Sequence, residues 1–381
     1  MKIQINAGVS KNMKVGILTY HFSINCGAVL QCYALQEYYA SKGIPVEVIN
    51  YITPKQQDNI ELYRKRLNTK NIIKNVLLIP LHFKRRDRLQ RFISFQQQYL
   101  KCSRRVKNQD ELRELIKEDG ITHIIVGSDQ VWNPRIDDFD SAFFLDFDTN
   151  AHKIGFSISL GYAKLADLLP YKCWIDQFEN FSMREKSGKQ IIMELNKQDA
   201  PITVDPTLLL DGNFWEKLVV NKVDGIREKE YVICYFLNKR HYKDNFHYAS
   251  CFAKKKGLSI YTIDYAIHKD VFGHNSLKNL GPLEFISAIH NSKYVFTDSF
   301  HGTVFSLLFK KQFISISNSE MNSDTRRMEL LSIYNKEELY RTIYENCDHI
   351  DLIKYSGQDI KDDTITYSKD YAIKIVDRQR S

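Results

Sequence analysis

Short apolar, β-branched runs alternate with segments of helical spacing along most of the chain. The first unit joins KVGILTY (14–20), a helical segment ended by Gly43, and PVEVINY (45–51). A strand, a helix and a second strand in this order form a βαβ unit with parallel strands. The alternation therefore predicts an α/β protein. Further strand signals follow at 122–126, 153–161, 178–183, 231–237, 258–263, 293–297 and 311–317.

The length of 381 residues exceeds what one hydrophobic core usually serves, which predicts two domains. Strand signal fades and charge rises between Asp211 and Glu230, so the boundary is placed there. The expected domains are residues 14–215 and 225–355, two Rossmann-like doubly wound sheets that face a cleft. The segment 356–381 has weak helical character and is a candidate to pack back on the first domain.

The first domain is expected to carry a basic helical insertion at about residues 60–117. Between Arg64 and Lys107 fourteen Lys or Arg accompany a single acid, Asp87, in a chain of net charge +8. Such a run is either a solvated helix face or a binding surface. The adjoining apolar LLIPLHF (77–83) favours anionic lipid headgroups or a lipid-linked polyanion over nucleic acid, because no helix-turn-helix or zinc pattern accompanies it.

The sequence also indicates a compartment. No apolar run reaches membrane-spanning length, and the opening residues lack the basic-then-apolar order of a secretion signal. We therefore expect a cytoplasmic protein, peripheral at the inner face of the membrane if the basic segment binds lipid. Residues 1–12 are expected to be poorly ordered. Scattered cysteines without CxxC, and histidines without HExxH, predict free thiols, no metal and no cofactor.

The stretch KYVFTDSFHGTVFSLLF (293–309) reads as a strand, a loop and a helix that begins near His301. Unpaired N–H groups and the positive end of the helix dipole favour an anion there. His301 is interpreted either as a proton-transferring group or as a cap of the strand end. Asp298 either orients the imidazole or caps the helix. Hydrogen-bonding or conformational roles in binding are expected of Ser299, Gly302 and Thr303.

The motif GSDQVWNP (127–134) follows another strand signal. One interpretation is a turn with a stacked tryptophan. The other makes Asp129 an acid or base and stacks Trp132 on a sugar ring. Ser128 and Gln130 are the accompanying binding candidates.

Three further segments carry candidate binding residues. SMRE places Ser182 and Arg184 at a strand end, where the arginine is either a surface ion pair or a bidentate clamp for carboxylate or phosphate. Arg326 and Arg327 are similar candidates downstream of KQFISIS. NCGAVLQ places Asn25 and Gly27 at a helix start, where helix capping explains most of the pattern. The Walker and dinucleotide glycine motifs are absent from this segment, so nucleotide binding has no direct support.

Taken in order, these motifs resemble the polysaccharide pyruvyltransferase family, in its bacterial capsule and exopolysaccharide branch. The resemblance rests on GILTYHFSINCGAVLQCYAL, VGSDQVWN, FSMRE, VDPTLLL and TDSFHGTVFSLLFKKQFI, from about Lys14 to about Arg341. It implies a fold similar to the GT-B glycosyltransferases. It also implies transfer of a pyruvyl group from phosphoenolpyruvate to a sugar, commonly as a cyclic ketal. A lipid-pyrophosphate-linked repeat unit is an acceptor consistent with this branch.

The resemblance also assigns positions. His301 matches the family's histidine-glycine motif in the second domain, which implies contact with phosphoenolpyruvate, and Arg184 matches the arginine of the SxRE motif. Many relatives have an arginine two residues before the histidine, where this chain has Ser299. Anion binding is therefore expected from Arg184, from the Arg326–Arg327 pair or from the helix start. In this hypothesis the second domain receives phosphoenolpyruvate, the first receives the acceptor, and Asp129 complements His301 as acid or base.

Two other functions remain open at this stage. A GT-B glycosyltransferase would share the fold and the sugar acceptor but would use a nucleotide sugar as donor. A non-enzymatic scaffold of a capsule assembly complex would depend on the basic segment 64–107. Donor choice discriminates the first alternative, and charge reversal in the basic segment discriminates the second.

Overall fold

The structure is a computed structural model that describes residues 13–63, 72, 73, 76, 79, 82–264, 275–317, 325–342 and 363–377. The expectation for residues 1–12 lies outside the described residues, as do most positions of 64–81.

The first sheet has five parallel strands in the order β2-β1-β3-β4-β5. Its strands are β1 (Val15–Leu18), β2 (Val46–Val48), β3 (His123–Val126), β4 (His152–Ile158) and β5 (Asn180–Met183). The inner strands β1, β3 and β4 are mainly apolar and almost entirely buried on both faces, as is typical of parallel sheets.

The second sheet has six parallel strands in the order β8-β7-β6-β9-β10-β11. Counted from β6, this is the 3-2-1-4-5-6 order of a dinucleotide-binding doubly wound fold. The strands are β6 (Tyr231–Tyr235), β7 (Ser259–Ile263), β8 (Asn275–Leu277), β9 (Tyr294–Thr297), β10 (Gln312–Ser317) and β11 (Tyr340–Thr342).

The prediction of two doubly wound α/β domains is confirmed. Helices cover both sheets. In the first domain and its connection to the second they are α1 (Cys26–Ser41), α2 (Pro54–Ile60), α3 (His82–Tyr99), α4 (Gln109–Glu118), α5 (Leu165–Leu168), α6 (Lys172–Ile175), α7 (Lys186–Asn196) and α8 (Gly212–Glu216). The later ones are α9 (Tyr242–Lys256), α10 (Pro282–Asn291), α11 (Phe300–Leu308), α12 (Thr325–Ile333) and α13 (Asp363–Lys374).

Strand order fixes where a ligand can bind. The direction in which successive strands are added reverses between β1 and β3 in the first sheet and between β6 and β9 in the second. Loops at the carboxyl ends of strands separate at such switch points and leave a crevice. The loops after β1, β3 and β9 at these switch points carry predicted site motifs, as does the loop after β5, so both crevices contribute to one cleft.

An apolar cluster joins the two domains behind this cleft. Trp215 of α8 is fully buried, with its ring centroid 6.1 Å from that of Tyr33 in α1 and 5.1 Å from that of Phe305 in α11. Its indole N–H donates to the carbonyl of Thr207 at 3.1 Å. The domains therefore share hydrophobic packing in addition to their connection along the chain.

Helix α3, from the basic segment, contacts both domains. Phe92 and Phe95 bury their rings in the core. The guanidinium of Arg91 pairs with Glu284 of α10 at 2.7 Å and with Asp224 at 2.6 Å, and Arg88 donates to the carbonyl of Ile24. The described half of the basic segment is thus partly structural.

Helix α13 packs on the first domain. The hydroxyl groups of Tyr38 and Tyr39 in α1 donate to the carbonyls of Lys369 and Ala372 at 2.8 Å each, and the hydroxyl of Tyr371 donates to the carbonyl of Phe181. Among the described residues, no helix is both long enough and apolar enough to cross a bilayer.

Candidate active site

The cleft between the domains has a volume of about 570 Å³. Side chains from both domains line it, which matches the convergence of the switch-point loops. Those residues are Asn25, Asp129, Gln130, Tyr162, Arg184, Leu237, Asn238, Asp298, Ser299, Phe300, His301, Arg326 and Arg327.

Arg184 directly follows β5, and its side chain lines the cleft on the side of the first domain. Its side chain is only 3% exposed, and Nη2 lies 2.8 Å from Oδ2 of Asp205. The same group donates to the hydroxyl of Ser128. Nη1 lies 3.8 Å from Oδ1 of Asp129, and the guanidinium lies over the ring of Phe300 at 5.2 Å. Carboxylates and an aromatic face thus hold the buried guanidinium in one orientation beside the cleft.

Asp205, from the VDPTLLL segment, is the carboxylate that joins the two halves of the site. Its Oδ1 accepts hydrogen bonds from the backbone N–H and the hydroxyl of Thr207, at 2.9 and 2.6 Å. Its Oδ2 lies 3.4 Å from Nε2 of His301 as well as 2.8 Å from Arg184. Burial alone would raise the pKa of Asp205, but Arg184 and His301 outweigh it and hold that pKa well below its usual range.

His301 lies in the first turn of α11, and its side chain is 12% exposed. Nε2 faces Asp205, and the ring packs against Gly27 at the start of α1. A Cβ on Gly27 would lie 2.0 Å from Nδ1 of His301, so only glycine leaves room for the imidazole. Gly27 is therefore a packing residue that lets the two helix starts approach each other.

Asp129 and its neighbours form the wall on the first domain. Asp129 has φ 68°, a left-handed conformation that turns the chain sharply after β3. Its carboxylate is 20% exposed, so it is accessible from the cleft. Tyr162 is 60% exposed at the rim, and the exposed Asn25 caps α1 by accepting the N–H of Gly27 at 3.0 Å.

A second buried carboxylate, Glu185, follows Arg184. Its Oε1 accepts hydrogen bonds from the N–H of Leu160 at 2.8 Å and the hydroxyl of Ser159 at 3.0 Å. Burial raises the pKa of Glu185, although Arg326 and Arg184 oppose the change. Glu185 thus ties the loop after β4 to the end of β5.

Several predicted binding residues turn away from the cleft. The hydroxyl of Ser182 accepts from the N–H of Ser157 at 2.9 Å and bonds with the hydroxyl of Thr203 at 2.7 Å. Ser128 is fully buried and donates to the carbonyl of Ser157 at 2.8 Å. These groups hold strands and loops together. Arg326 and Arg327 both border the cleft, but Arg327 is 3% exposed and donates through Nη1 to the carbonyl of Ile316 at 2.7 Å, whereas Arg326 is half-buried.

The start of α11 corrects a second expectation. Ser299 caps the helix, since its hydroxyl accepts the N–H of Gly302 at 3.3 Å. A Cβ on Gly302 would lie 2.3 Å from the hydroxyl oxygen of Thr297, so this glycine admits a strand rather than a ligand. Thr303 is fully buried, and its hydroxyl donates to the carbonyl of Ser299 at 3.0 Å.

The sugar-stacking role of Trp132 was wrong. The ring is fully buried, lies 5.5 Å from that of Phe144, and donates through Nε1 to the carbonyl of Phe143 at 2.9 Å. No face of it is available to a ligand. Neither role considered for Asp298 describes its position, because its carboxylate accepts the N–H groups of Leu237 and Asn238 at 2.6 and 3.1 Å. Asp298 therefore shapes the loop after β6.

The sequence interpretation missed Asp205 as a site residue. The segment VDPTLLL shows an acid directly before a proline and an apolar run. Of the residues that contact this acid, however, only Thr207 is close to it in sequence. The other two partners, Arg184 and His301, come from different domains. The spacing along the chain therefore gave no indication that both contact Asp205.

Comparison with known proteins identifies a family. The sequence matches the model of the polysaccharide pyruvyl transferase family over residues 25–320. No curated protein gives a significant match to the sequence.

The structure resembles a UDP-N-acetylglucosamine 2-epimerase with a TM-score of 0.52 and 12% identity, over 97% of this chain and 95% of that one. It also resembles the UDP-GlcNAc 2-epimerase of Neisseria meningitidis bound to UDP-GlcNAc, with a TM-score of 0.50 and 11% identity, over 96% and 94% of the two chains. At such identities the likeness shows only the fold, which is GT-B-like. The family match spans most of the chain and contains Asp129, Arg184, Asp205 and His301, and on that ground the chain belongs to the polysaccharide pyruvyl transferase family.

Proposed function

We propose that the protein transfers the pyruvyl group of phosphoenolpyruvate to a sugar of a bacterial surface polysaccharide precursor, as a cyclic ketal, with release of phosphate. The observation that supports this most directly is the contact of Asp205 with both Arg184 and His301 at the floor of the cleft. A fixed cation and an acid–base group side by side suit an anionic donor that must be protonated.

The donor brings a carboxylate and a phosphate. We assign Arg184 and Arg326 to these anionic groups, since both border the cleft and Arg184 is already oriented by Asp205. A guanidinium offers two parallel N–H donors to either group. The serine at position 299 caps α11, so the arginine that many relatives have there is replaced in this role by Arg184 and Arg326.

The chemistry follows from these positions. In its protonated form, His301 donates a proton to the methylene carbon of phosphoenolpyruvate, and the neighbouring carbon becomes oxocarbenium-like. A sugar hydroxyl attacks that carbon and gives its proton to Asp129. The carbon–oxygen bond to phosphate then breaks, and the second hydroxyl closes the ketal. One hydroxyl proton restores the acid and the other leaves on hydrogen phosphate, so protons and charge balance.

Asp205 is a positioning residue in this scheme. Its ionised carboxylate stabilises positive charge on Arg184 and on a protonated His301. It also keeps both side chains aimed into the cleft, which lowers the cost of ordering them when the donor binds.

We place the acceptor sugar against the first domain. Tyr162, at the rim, presents the exposed ring that Trp132 does not, and Gln130 and Asn238 offer amide groups across the cleft. Aromatic faces and amides together suit a sugar, which has apolar C–H faces and polar edges. We place the reaction in the cytoplasm. We propose no cofactor, since the donor itself carries the activated group.

The test is to incubate the purified chain with phosphoenolpyruvate and a panel of galactose- and mannose-containing acceptors. Phosphate release and product mass are measured together. A ketal-sized gain in acceptor mass matched to phosphate release is expected. His301→Ala should abolish both, while His290→Ala, in α10 and outside the lining of the cleft, should abolish neither.

Donor binding makes the test decisive when the panel lacks the natural acceptor. Phosphoenolpyruvate binding is measured by calorimetry on the wild type and on Arg184→Ala. Weaker binding by the variant supports the assignment. Absence of phosphoenolpyruvate binding together with binding of a nucleotide sugar would reject the proposal in favour of a glycosyltransferase.

A further inference from the structure

Exposed apolar side chains concentrate in one short stretch of the described chain. Within the twelve residues from Ile72 to Phe83 five large apolar side chains are exposed. Burying apolar surface lowers free energy, so a concentration of exposed apolar side chains of this kind marks an interaction site. The exposed fractions are Ile72 47%, Ile73 56%, Val76 58%, Ile79 59% and Phe83 69%. We call these five residues the apolar patch.

The sequence around the apolar patch is mainly basic, and the first acid after it is Asp87, whose Oδ1 lies 4.0 Å from Nε of Arg86. From Lys70 to Arg86 the sequence contains five Lys or Arg and no Asp or Glu. Among the described residues, Lys84 and Arg86 are exposed, and the guanidinium of Arg86 lies 5.7 Å from the centre of the Phe83 ring. Cations beside protruding apolar groups match the two layers of a bilayer surface, anionic headgroups above acyl chains.

The helix that follows the apolar patch is anchored to the protein close to the cleft. In α3, Phe92 is buried and Arg91 pairs with Glu284. Arg88 donates to the carbonyl of Ile24, which directly precedes the cleft residue Asn25. A surface held at the start of α3 therefore lies next to the side of the cleft formed by the loop after β1.

We propose that the apolar patch, with Lys84 and Arg86, docks the protein on an anionic phospholipid bilayer. The inference goes beyond the proposed reaction, and it does not depend on it, because membrane binding requires no turnover. Charge complementarity selects the occupant: a neutral apolar partner would offer no counter-charge to Lys84, and nucleic acid would leave the isoleucines and the phenylalanine without apolar contacts.

Vesicle binding tests the proposal on the full chain. The protein is sedimented with phosphatidylglycerol–phosphatidylcholine vesicles and with vesicles of phosphatidylcholine alone. At least tenfold tighter binding to the anionic vesicles is expected, with a loss on raising the salt concentration. Equal binding to both compositions, or binding to neither, would overturn the proposal.

Two substitutions separate the apolar and electrostatic contributions. Val76→Asp with Ile79→Asp, and separately Lys84→Glu with Arg86→Glu, should each weaken binding to anionic vesicles at least tenfold. The matched control is Leu169→Asp with Met193→Asp, which places the same charges at exposed apolar positions elsewhere in the first domain and should leave binding unchanged. If the control loses as much as the patch variants, the effect is one of net charge and the docking surface is rejected.

Oligomeric state and activity complete the test. Sedimentation velocity without vesicles shows whether the apolar patch instead binds a second copy. Dissociation of an oligomer by Val76→Asp with Ile79→Asp, without loss of vesicle binding, would overturn the proposal. Phosphate release with a soluble acceptor should be unchanged in these variants. A failed transfer assay with intact vesicle binding therefore speaks against the proposed reaction alone.

Discussion

Two buried carboxylates near Arg184 have opposite electrostatic behaviour. Asp205 and Glu185 are each about 1% exposed, yet the pKa of Asp205 is lowered and that of Glu185 is raised. Asp205 faces the guanidinium of Arg184 and the imidazole of His301, whereas the nearest partners of Glu185 are the neutral donors of Leu160 and Ser159. The two carboxylates are equally buried, so their partners determine the direction in which each pKa shifts.

The comparison separates a carboxylate that takes part in the proposed reaction, here called the functional one, from one that only joins loops, the structural one. A charged carboxylate without water is tolerated only where cations and hydrogen bonds compensate its desolvation. Asp205 meets this condition between the two domains, beside the cleft. The desolvation of Glu185 is less fully compensated, and this residue serves to join the loop after β4 to the end of β5. The following changes test that distinction, in decreasing order of expected effect.

Removing the histidine should have the largest effect. His301→Ala deletes the proposed proton donor, and general acid catalysis contributes about 10²–10⁴-fold to rate. We expect kcat for phosphate release to fall by about that factor, with an unchanged circular dichroism spectrum. His290→Ala should retain wild-type kcat. Retained turnover in His301→Ala would remove this residue from the mechanism and leave Asp205 as a partner of Arg184 alone.

Neutralising the functional carboxylate should destabilise the protein. Asp205→Asn leaves Arg184 buried without its nearest counter-charge, which costs about 3–5 kcal/mol for a buried pair. Because the folded pKa is lowered, the stabilisation is fully present above the usual aspartate pKa of about 3.9 and is lost as pH falls through the folded pKa.

Urea unfolding of wild type and Asp205→Asn across this pH range checks the prediction. The difference in free energy of unfolding should be largest near neutral pH and should shrink below about pH 4. A difference independent of pH would mean that Asp205 acts through packing and that its charge is irrelevant.

Filling the space beside the histidine should have an intermediate effect. Gly27→Ala places a methyl group against the imidazole, and overpacking typically costs about 1–3 kcal/mol. The double variant Gly27→Ala with His301→Ala removes the clash, so its loss of stability should be smaller than the sum of the single losses. Additive losses would show that Gly27 is required for backbone conformation and not for the position of His301.

Neutralising the structural carboxylate should have the smallest effect. Glu185→Gln keeps an acceptor for Leu160 and Ser159 and removes a buried charge, so the free energy of unfolding at neutral pH should rise by less than about 1 kcal/mol. The raised folded pKa means that wild-type stability falls as pH rises from the usual glutamate pKa of about 4.3 to the folded value. The variant should lack that fall, as urea unfolding against pH will show. A loss as large as that of Asp205→Asn would erase the distinction between the two carboxylates.

Most of the fold was predictable because each element has a local cause. The strands are apolar β-branched runs, and α1 begins at the asparagine cap and ends before Gly43, as expected. The order of strands in the second sheet needed more than local pattern, since pairing of β6 with β9 joins segments about sixty residues apart along the chain.

Site residues were predictable only where a position directly after a strand is enough to place the side chain at the cleft. His301, Arg184 and Asp129 border the cleft because each follows a strand at its carboxyl end. Trp132 has the same sequence context, but its size and apolarity favour the core over the surface. Asp205 was missed because its partners come from two other segments. A motif indicates which side chains are available, and only the tertiary structure determines which ones face each other.

The packing of α13 on α1 has a consequence for synthesis on the ribosome. Tyr38 pairs with Lys369, 331 residues later, so α1 is made long before the helix that covers it. The strands of the second sheet, β6 to β11, all lie between Tyr231 and Thr342, so that sheet has no such delay. During translation the nascent first domain therefore presents an uncovered tyrosine-rich face, and its folding is completed only after the second domain has emerged.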